Sequence, residues 1–194
     1  MAIIKNPRKF TDHFGVPLAK FRQAGLLDPV LNADTQLFID PLLLEKSNHP
    51  LIQGAGAEKF RNRFQKIYEL LNHRPRTEVI ERALDRLLQF QEIAGTCLGY
   101  TAGGVSGRGM GREKRARFMH VASQVEQVGR TDPRLLPVLA ILESGIGADL
   151  ISDMTANIII EELAQITLEF CVKNNVPTEK ITLQNGTYQL PRNL

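Results

Sequence analysis

Hydrophobic residues recur at helical spacing along most of the chain. The segment Ala57–Asn72 carries apolar residues three or four positions apart, which indicates one buried face of an amphipathic helix. A shorter helix is expected over 17–25, because proline is tolerated in a first helical turn and glycine commonly ends a helix. We therefore predict a mainly α fold, as a single mostly helical domain over residues 1–194. The same spacing predicts further helices over 77–91, 112–127, 133–143 and 148–173.

Two short stretches have the patterns of β-structure instead. TQLFID, from Thr35 to Asp40, predicts a short buried strand, and Asp40 followed by Pro41 predicts the N-cap and first residue of another helix. Near the end, KITLQNGTYQL alternates on both sides of Asn185 and Gly186, the strongest hairpin signal in the sequence. An isolated hairpin is only marginally stable in water, so this one is expected to dock on the helices. The predicted fold is thus helical with a short internal strand and a C-terminal β-hairpin.

Composition narrows the class of protein. The sequence contains no apolar run of about 18 residues, and its first residues, MAIIKNPRKF, lack the apolar stretch of a signal peptide. We therefore expect a soluble cytoplasmic protein without a membrane partner. The two cysteines, Cys97 and Cys171, lack the spacing of a zinc site, so reduced thiols are expected, at least one of them in the core. The net charge of +3 is too small to indicate nucleic-acid binding by itself.

The helix predicted over 148–173 begins with an unusual polar stripe. When its apolar face is extended back toward the N-terminus at about 100° per residue, Asp149, Ser152, Asp153 and Asn157 fall on it. Inward carboxylates are costly unless a cation, metal or hydrogen-bond donor faces them. We predict that Asp149, Asp153 and Asn157 bind Mg²⁺, with Asp149 and Asp153 as catalytic carboxylates. The alternative is that Asp149 or Ser152 caps the helix and Asp153 interacts with its dipole.

A glycine-rich segment, CLGYTAGGVSGRGMG, precedes the helix predicted from residue 112. Backbone amides and a helix N-terminus in such an arrangement bind phosphate, so Gly107, Arg108, Gly109, Arg112 and Arg115 are the predicted phosphate ligands. The segment matches neither the Walker loop nor the dinucleotide-binding pattern. The alternative is a surface loop with solvated arginines.

A further pair of carboxylates brackets the predicted internal strand. Asp34 and Asp40 stand at its two ends, and carboxylates at strand ends do bind metals in some nucleases. No Glu-x-Lys follows to complete such a signature, so turn and capping roles are expected for both residues.

Three motifs together resemble a family of poorly characterised bacterial proteins associated with phage-defence and mobile-element neighbourhoods. They are LFIDPLLL, CLGY…SGRGMG and GIGADLISDMTANII. The resemblance implies that the chain is the amino-terminal region of such a protein or a short member, and it favours work on nucleic acid or nucleotides. One hypothesis is a defence domain with Mg²⁺-dependent phosphodiester chemistry. The other is a non-catalytic assembly module that binds a protein partner or C-terminal domain and whose Asp149 and Asp153 pair with its own arginines.

Overall fold

The computed structural model describes residues 6–35, 37–90, 93, 96, 98, 111–124, 132–135, 137, 147–183 and 186–192. Most of these residues are helical, and a two-stranded antiparallel hairpin closes the chain, so the predicted mainly α fold with a C-terminal hairpin is confirmed. Along the described residues, no helix is both long and apolar enough to cross a membrane. The elements are α1 (Phe10–Phe14), α2 (Leu18–Ala24), a 3₁₀ helix (Pro41–Lys46), a π-helical turn (Ile52–Gly56), α3 (Ala57–Asn72), α4 (Glu78–Leu87), α5 (Arg112–Gln124), α6 (Ala148–Ile158), α7 (Ile160–Lys173), β1 (Thr178–Leu183) and β2 (Gly186–Pro191).

Local capping signals fix several of the helix ends. Helix α2 ends at Gly25, whose φ of 66° is the left-handed conformation that glycine adopts without strain. The Thr77 hydroxyl accepts a bond from the Ile80 amide at 3.4 Å and caps α4. Asp40 caps the next segment as predicted, accepting from the Leu42 amide at 2.9 Å, although that segment is a 3₁₀ helix. These ends are set by residues close in sequence, which is why they were predictable.

The predicted internal strand is reduced to a single bridge. Thr35 forms an isolated parallel bridge with Leu98, and residues 37–40 join no β-ladder. The backbone amides that a strand would offer to a neighbour are used elsewhere: the Leu37 amide bonds the Thr35 carbonyl at 2.7 Å, and the Ile39 amide bonds the Ser152 hydroxyl at 3.0 Å. The segment is therefore tied to α6 rather than to a second strand.

The single helix predicted over 148–173 is two helices. Ile159 has φ −103° and ψ 21°, outside the α-helical region, and separates α6 from α7. It is the middle of three consecutive β-branched isoleucines, which lose side-chain freedom in a helix. Its side chain is buried against Gly56, where an added Cβ would lie 3.5 Å from Ile159 Cγ2. The junction therefore packs against the π-helical turn that begins the α3 region.

Two hydrophobic clusters hold the described elements together. The larger one joins α3, α4, α5 and α6 around side chains that are almost fully buried, among them Phe64, Phe118 and Met154. The smaller one packs Phe10 and Phe21 of the N-terminal segment against Phe170 of α7. Helix α6 is buried on nearly every side, since seven of its residues are buried.

The hairpin and one of the two cysteines lie where the sequence predicts them. The hairpin docks along α7 as expected, and Leu183 pairs with Gly186 at its tip, whereas Asn185 lies outside the described residues. Cys171 is a free, fully buried thiol, which confirms that one cysteine packs in the core, and burial raises its pKa to about 11. Cys97, nearly all of the glycine-rich segment and most of the helix predicted over 133–143 also lie outside the described residues.

Candidate functional site

The polar stripe predicted on α6 does face inward. Ser152 and Asn157 are buried, and Asp149 and Asp153 are half-buried. The Ser152 hydroxyl accepts from the Ile39 amide, and Asn157 Nδ2 donates to the Asp153 carbonyl at 2.9 Å. The alternative in which Asp149 or Ser152 caps the helix is wrong, because Gly147 occupies the N-cap and no side chain caps it. Asp149 instead lies in the first turn, where the helix dipole favours a negative charge.

Asp149 lies near a second carboxylate that comes from a distant part of the chain. Burial raises the pKa of Asp149, the charge of Asp34 raises it further, and Lys114 lowers it. The fold therefore brings Asp34, which sequence analysis assigned to a turn, close to the start of α6. Sequence alone did not identify this pair, because the two aspartates are more than a hundred residues apart and belong to different predicted elements.

Of the basic residues at the start of α5, Lys114 lies close enough to Asp149 for its charge to lower the pKa of that carboxyl. Arg112 is the first residue of the helix and is exposed, and Lys114 is half-buried. Arg115 Nε bonds Asp85 Oδ1 at 2.7 Å, an ion pair that fastens α5 to α4. The other three predicted phosphate ligands, Gly107, Arg108 and Gly109, lie outside the described residues.

The donor set near Asp149 suits a hydrated ion better than a complete protein cage. Within the described ranges, no group of three His, Cys, Asp or Glu side chains is arranged to hold a metal. Mg²⁺ commonly takes one or two protein carboxylates and completes its shell with water and phosphate oxygens, so Asp149 and Asp34 are the residues that would hold such an ion. Asn157 lies roughly 12 Å further along the helix axis, so it cannot share an ion with Asp149.

Asn157 lines a different feature, a cleft at the other end of α6. This cleft of about 440 Å³ lies between α3, the end of α4 and the α6–α7 junction. Its α3 wall carries three basic side chains, Lys59, Arg63 and Lys66, while Glu161 is the one acidic residue among the described residues that line it. The prediction of α3 rested on its apolar stripe alone. The missed signal was the polar stripe beside it, at positions 59, 62, 63 and 66, which is also helical in its spacing.

One of the three basic residues is already neutralised. Lys59 Nζ pairs with Glu161 and with Glu162, the latter at 2.7 Å from Oε1. Glu162 is a buried carboxylate, and its Oε2 has no hydrogen-bond partner. Lys59 therefore serves mainly to compensate Glu162. Within the described part of the chain, Arg63 and Lys66 form no ion pair.

One known protein family matches the part of the chain that contains both Asp149 and the cleft. A family model described as a domain of unknown function, DUF8370, matches residues 15–193. The matched segment contains every described helix after α1 and both strands. No curated protein and no solved structure matches the chain significantly.

Proposed function

Since this chain belongs to the DUF8370 family of domains of unknown function, we propose its function from the geometry of the carboxylate pair. It is a cytoplasmic phage-defence domain of bacteria that binds nucleic acid or nucleotides. It performs Mg²⁺-dependent phosphodiester chemistry at Asp149, with Asp34 as the second carboxylate. Asp153, one helical turn beyond Asp149 on the same stripe, is the further candidate catalytic residue.

The observation that supports this proposal is that Asp149 is partly buried and that the charges of Asp34 and Lys114, from two other parts of the chain, both act on it. The raised pKa of Asp149 means that its surroundings disfavour its negative charge. A divalent cation beside Asp149 would offset the cost of burying its charge and the repulsion from Asp34, and groups with a shifted pKa concentrate at functional sites.

The same arrangement supports a chemical role for each group. A Mg²⁺ ion held by the two carboxylates would polarise a phosphate oxygen and lower the pKa of a bound water. Lys114, close enough to lower the pKa of Asp149, and the exposed Arg112 would neutralise the phosphate as charge develops on it.

Calorimetric titration with Mg²⁺ and Mn²⁺, together with cleavage assays on single- and double-stranded DNA and RNA, tests this function. We expect metal binding and cleavage in the wild type, and loss of both in Asp149→Asn and Asp34→Asn. Asp12→Asn is the matched control, because Asp12 is an exposed carboxylate on α1. A folded wild type with neither metal binding nor cleavage, or equal losses in the Asp12 control, would overturn the proposal.

One observation favours the second candidate function, an assembly module that binds a protein partner or a C-terminal domain. Three leucines around the 3₁₀ helix are solvent-exposed, at 47% for Leu37, 36% for Leu42 and 54% for Leu43. The three leucines lie within seven residues of the sequence, and exposed apolar patches are typical of interaction surfaces. The assembly module is supported over the Mg²⁺-dependent function by two results together. The wild type binds no metal, and Leu43→Asp abolishes its association with a protein encoded by a neighbouring gene.

A further inference from the structure

The basic cleft lies at the opposite end of α6 from Asp149. Asp149 occupies the first turn of the helix, whereas Asn157 and Ile158, which line the cleft, are its last residues. Over nine residues the helix rises about 13 Å, so one metal ion or one phosphate group cannot contact both ends. Whatever the cleft binds is therefore independent of the carboxylate pair.

Arg63 is the best-fixed charged group in the cleft. Its Nε donates to the Leu87 carbonyl at 3.0 Å, and its guanidinium lies 5.6 Å from the centre of the Phe90 ring. Phe90 is itself 2% exposed, so the platform under the guanidinium is part of the core. This contact is a cation–π interaction, which holds the guanidinium plane in place without neutralising it.

The terminal amino groups of Arg63 remain available to a ligand. In the part of the chain that the structure describes, no carboxylate pairs with Arg63, and its one hydrogen bond uses Nε. Burial lowers the pKa of Arg63, which means that the cation is partly stripped of water without gaining an anion in return. An anionic ligand would supply the missing charge.

The rest of the lining indicates which anion fits. Lys66 is an exposed cation one helical turn from Arg63, and the exposed side-chain amide of Asn62 on the same helix offers both a donor and an acceptor. A planar guanidinium with two free amino groups matches the paired oxygens of a phosphate, whereas an ammonium group acts as a point charge beside it. The cleft volume of about 440 Å³ also falls within the range of small-molecule sites.

We propose that this cleft binds a small phosphate-bearing molecule, with Arg63 as the bidentate phosphate ligand and Lys66 as the second cation. Lys59 supports the site indirectly, because its charge is used by Glu161 and Glu162. The exposed Asn62 amide suits a ligand with a hydrogen-bonding body attached to the phosphate, such as a nucleoside phosphate. The proposal does not depend on catalysis or on metal binding at Asp149.

Titration calorimetry of the full chain with sodium pyrophosphate, ATP and a single-stranded oligonucleotide, without divalent metal, tests this site. Pyrophosphate and ATP are expected to bind, and Arg63→Ala should weaken both by at least about tenfold, because hydrogen bonds to charged groups are lost. Arg63→Lys, which keeps the charge but removes the fork, and Lys66→Ala should each weaken binding by about three- to tenfold. These two variants keep the test valid if circular dichroism shows that Arg63→Ala is unfolded.

Arg61→Ala is the matched control, because Arg61 lies on the same helix but pairs with Glu45, away from the cleft. It should bind both probes like the wild type. Tighter binding of ATP than of pyrophosphate would identify a nucleotide as the ligand, and equal binding would identify the phosphate group alone; both outcomes support the site. The proposal is overturned if the folded wild type binds neither small probe, if only the oligonucleotide binds, or if Arg61→Ala weakens binding as much as Lys66→Ala.

Discussion

The two ends of α6 hold charges of opposite sign in similar physical situations. At the N-terminal end, burial and a like-charged neighbour raise the pKa of Asp149. At the C-terminal end, burial lowers the pKa of Arg63, which lies across the cleft from the α6–α7 junction. In each case the protein disfavours the charged form of the side chain. A cation at one end and an anion at the other would relieve this, and for that reason both ends are candidate ligand sites.

Several other charged side chains form ion pairs, so a disfavoured charge is not the rule among the described residues. Arg134 forms ion pairs with Asp132 at 2.7 Å and with Glu45 at 2.6 Å. The hydrogen bond from Arg134 lowers the pKa of Asp132. Lys59 neutralises Glu162 in the same manner at the edge of the cleft. The difference shows that the fold can pair charged groups directly, whereas in the part of the chain that the structure describes neither Asp149 nor Arg63 forms an ion pair. Variants at the ends and in the middle of α6 and at the paired charges test this difference.

The largest effect is expected from the middle of α6, which joins the two ends. Met154 is fully buried in the main core, so Met154→Ala should lower the free energy of unfolding by about 3 kcal/mol through the cavity it leaves. Urea denaturation measures this loss. Val172→Ala on α7, where the side chain is 67% exposed, is the control and should change stability by less than about 0.5 kcal/mol. A loss below about 1 kcal/mol for Met154→Ala would mean that α6 is not embedded as described.

The second effect concerns the compensated charge beside the cleft. Lys59→Met leaves Glu162 buried without its cation and should cost about 2 kcal/mol, less than a fully buried pair because Lys59 is 39% exposed. Adding Glu162→Gln to this variant should recover part of the loss, because a neutral amide is cheaper to bury. Arg82→Met breaks an exposed pair with Glu78 and should cost less than about 0.5 kcal/mol. Equal costs for the two single variants would contradict the assigned role of Lys59.

The third effect tests how the acidic end is anchored. Ser152→Ala removes the hydroxyl that accepts the Ile39 amide, so the free energy of unfolding should fall by about 1 kcal/mol. Thermal unfolding and amide hydrogen exchange at Ile39 report the loss. Unchanged protection of that amide would show that the bond does not hold the segment on α6.

The smallest effect has the opposite sign and distinguishes Asp149 from a compensated aspartate. Because the folded state raises the pKa of Asp149, its ionised form destabilises the protein at neutral pH, and Asp149→Asn should increase stability by about 0.5 kcal/mol. This gain should vanish as the pH falls and the wild-type carboxyl becomes protonated. Asp132→Asn should instead lower stability at neutral pH, because the pKa of Asp132 is lowered, and the difference should disappear as the pH falls through that pKa. Unfolding measured between about pH 3 and 8 compares the two.

Much of the fold was predictable because its signals are local. The apolar spacing over Ala57–Asn72 gave the bounds of α3, Gly25 ended α2, and the alternation around Gly186 predicted the hairpin. The break at Ile159 was missed, because helical periodicity continues across it and the packing against Gly56 is not visible in the sequence. The strand predicted at Thr35 was wrong because strand formation needs a partner, and the nearby amide of Ile39 found Ser152 instead.

The sequence by itself determined the buried faces of α3 and α4 and the inward polar stripe of α6, because burial of these positions follows from the periodicity of one segment. Only the tertiary structure decided which charged groups meet. It placed Asp34 near Asp149, paired Arg115 with Asp85, and separated Asn157 from the carboxylates with which it was grouped. It also turned the basic stripe of α3 toward the α6–α7 junction to form a cleft. These encounters depend on how distant helices pack, and periodicity along one segment carries no information about the charges on another.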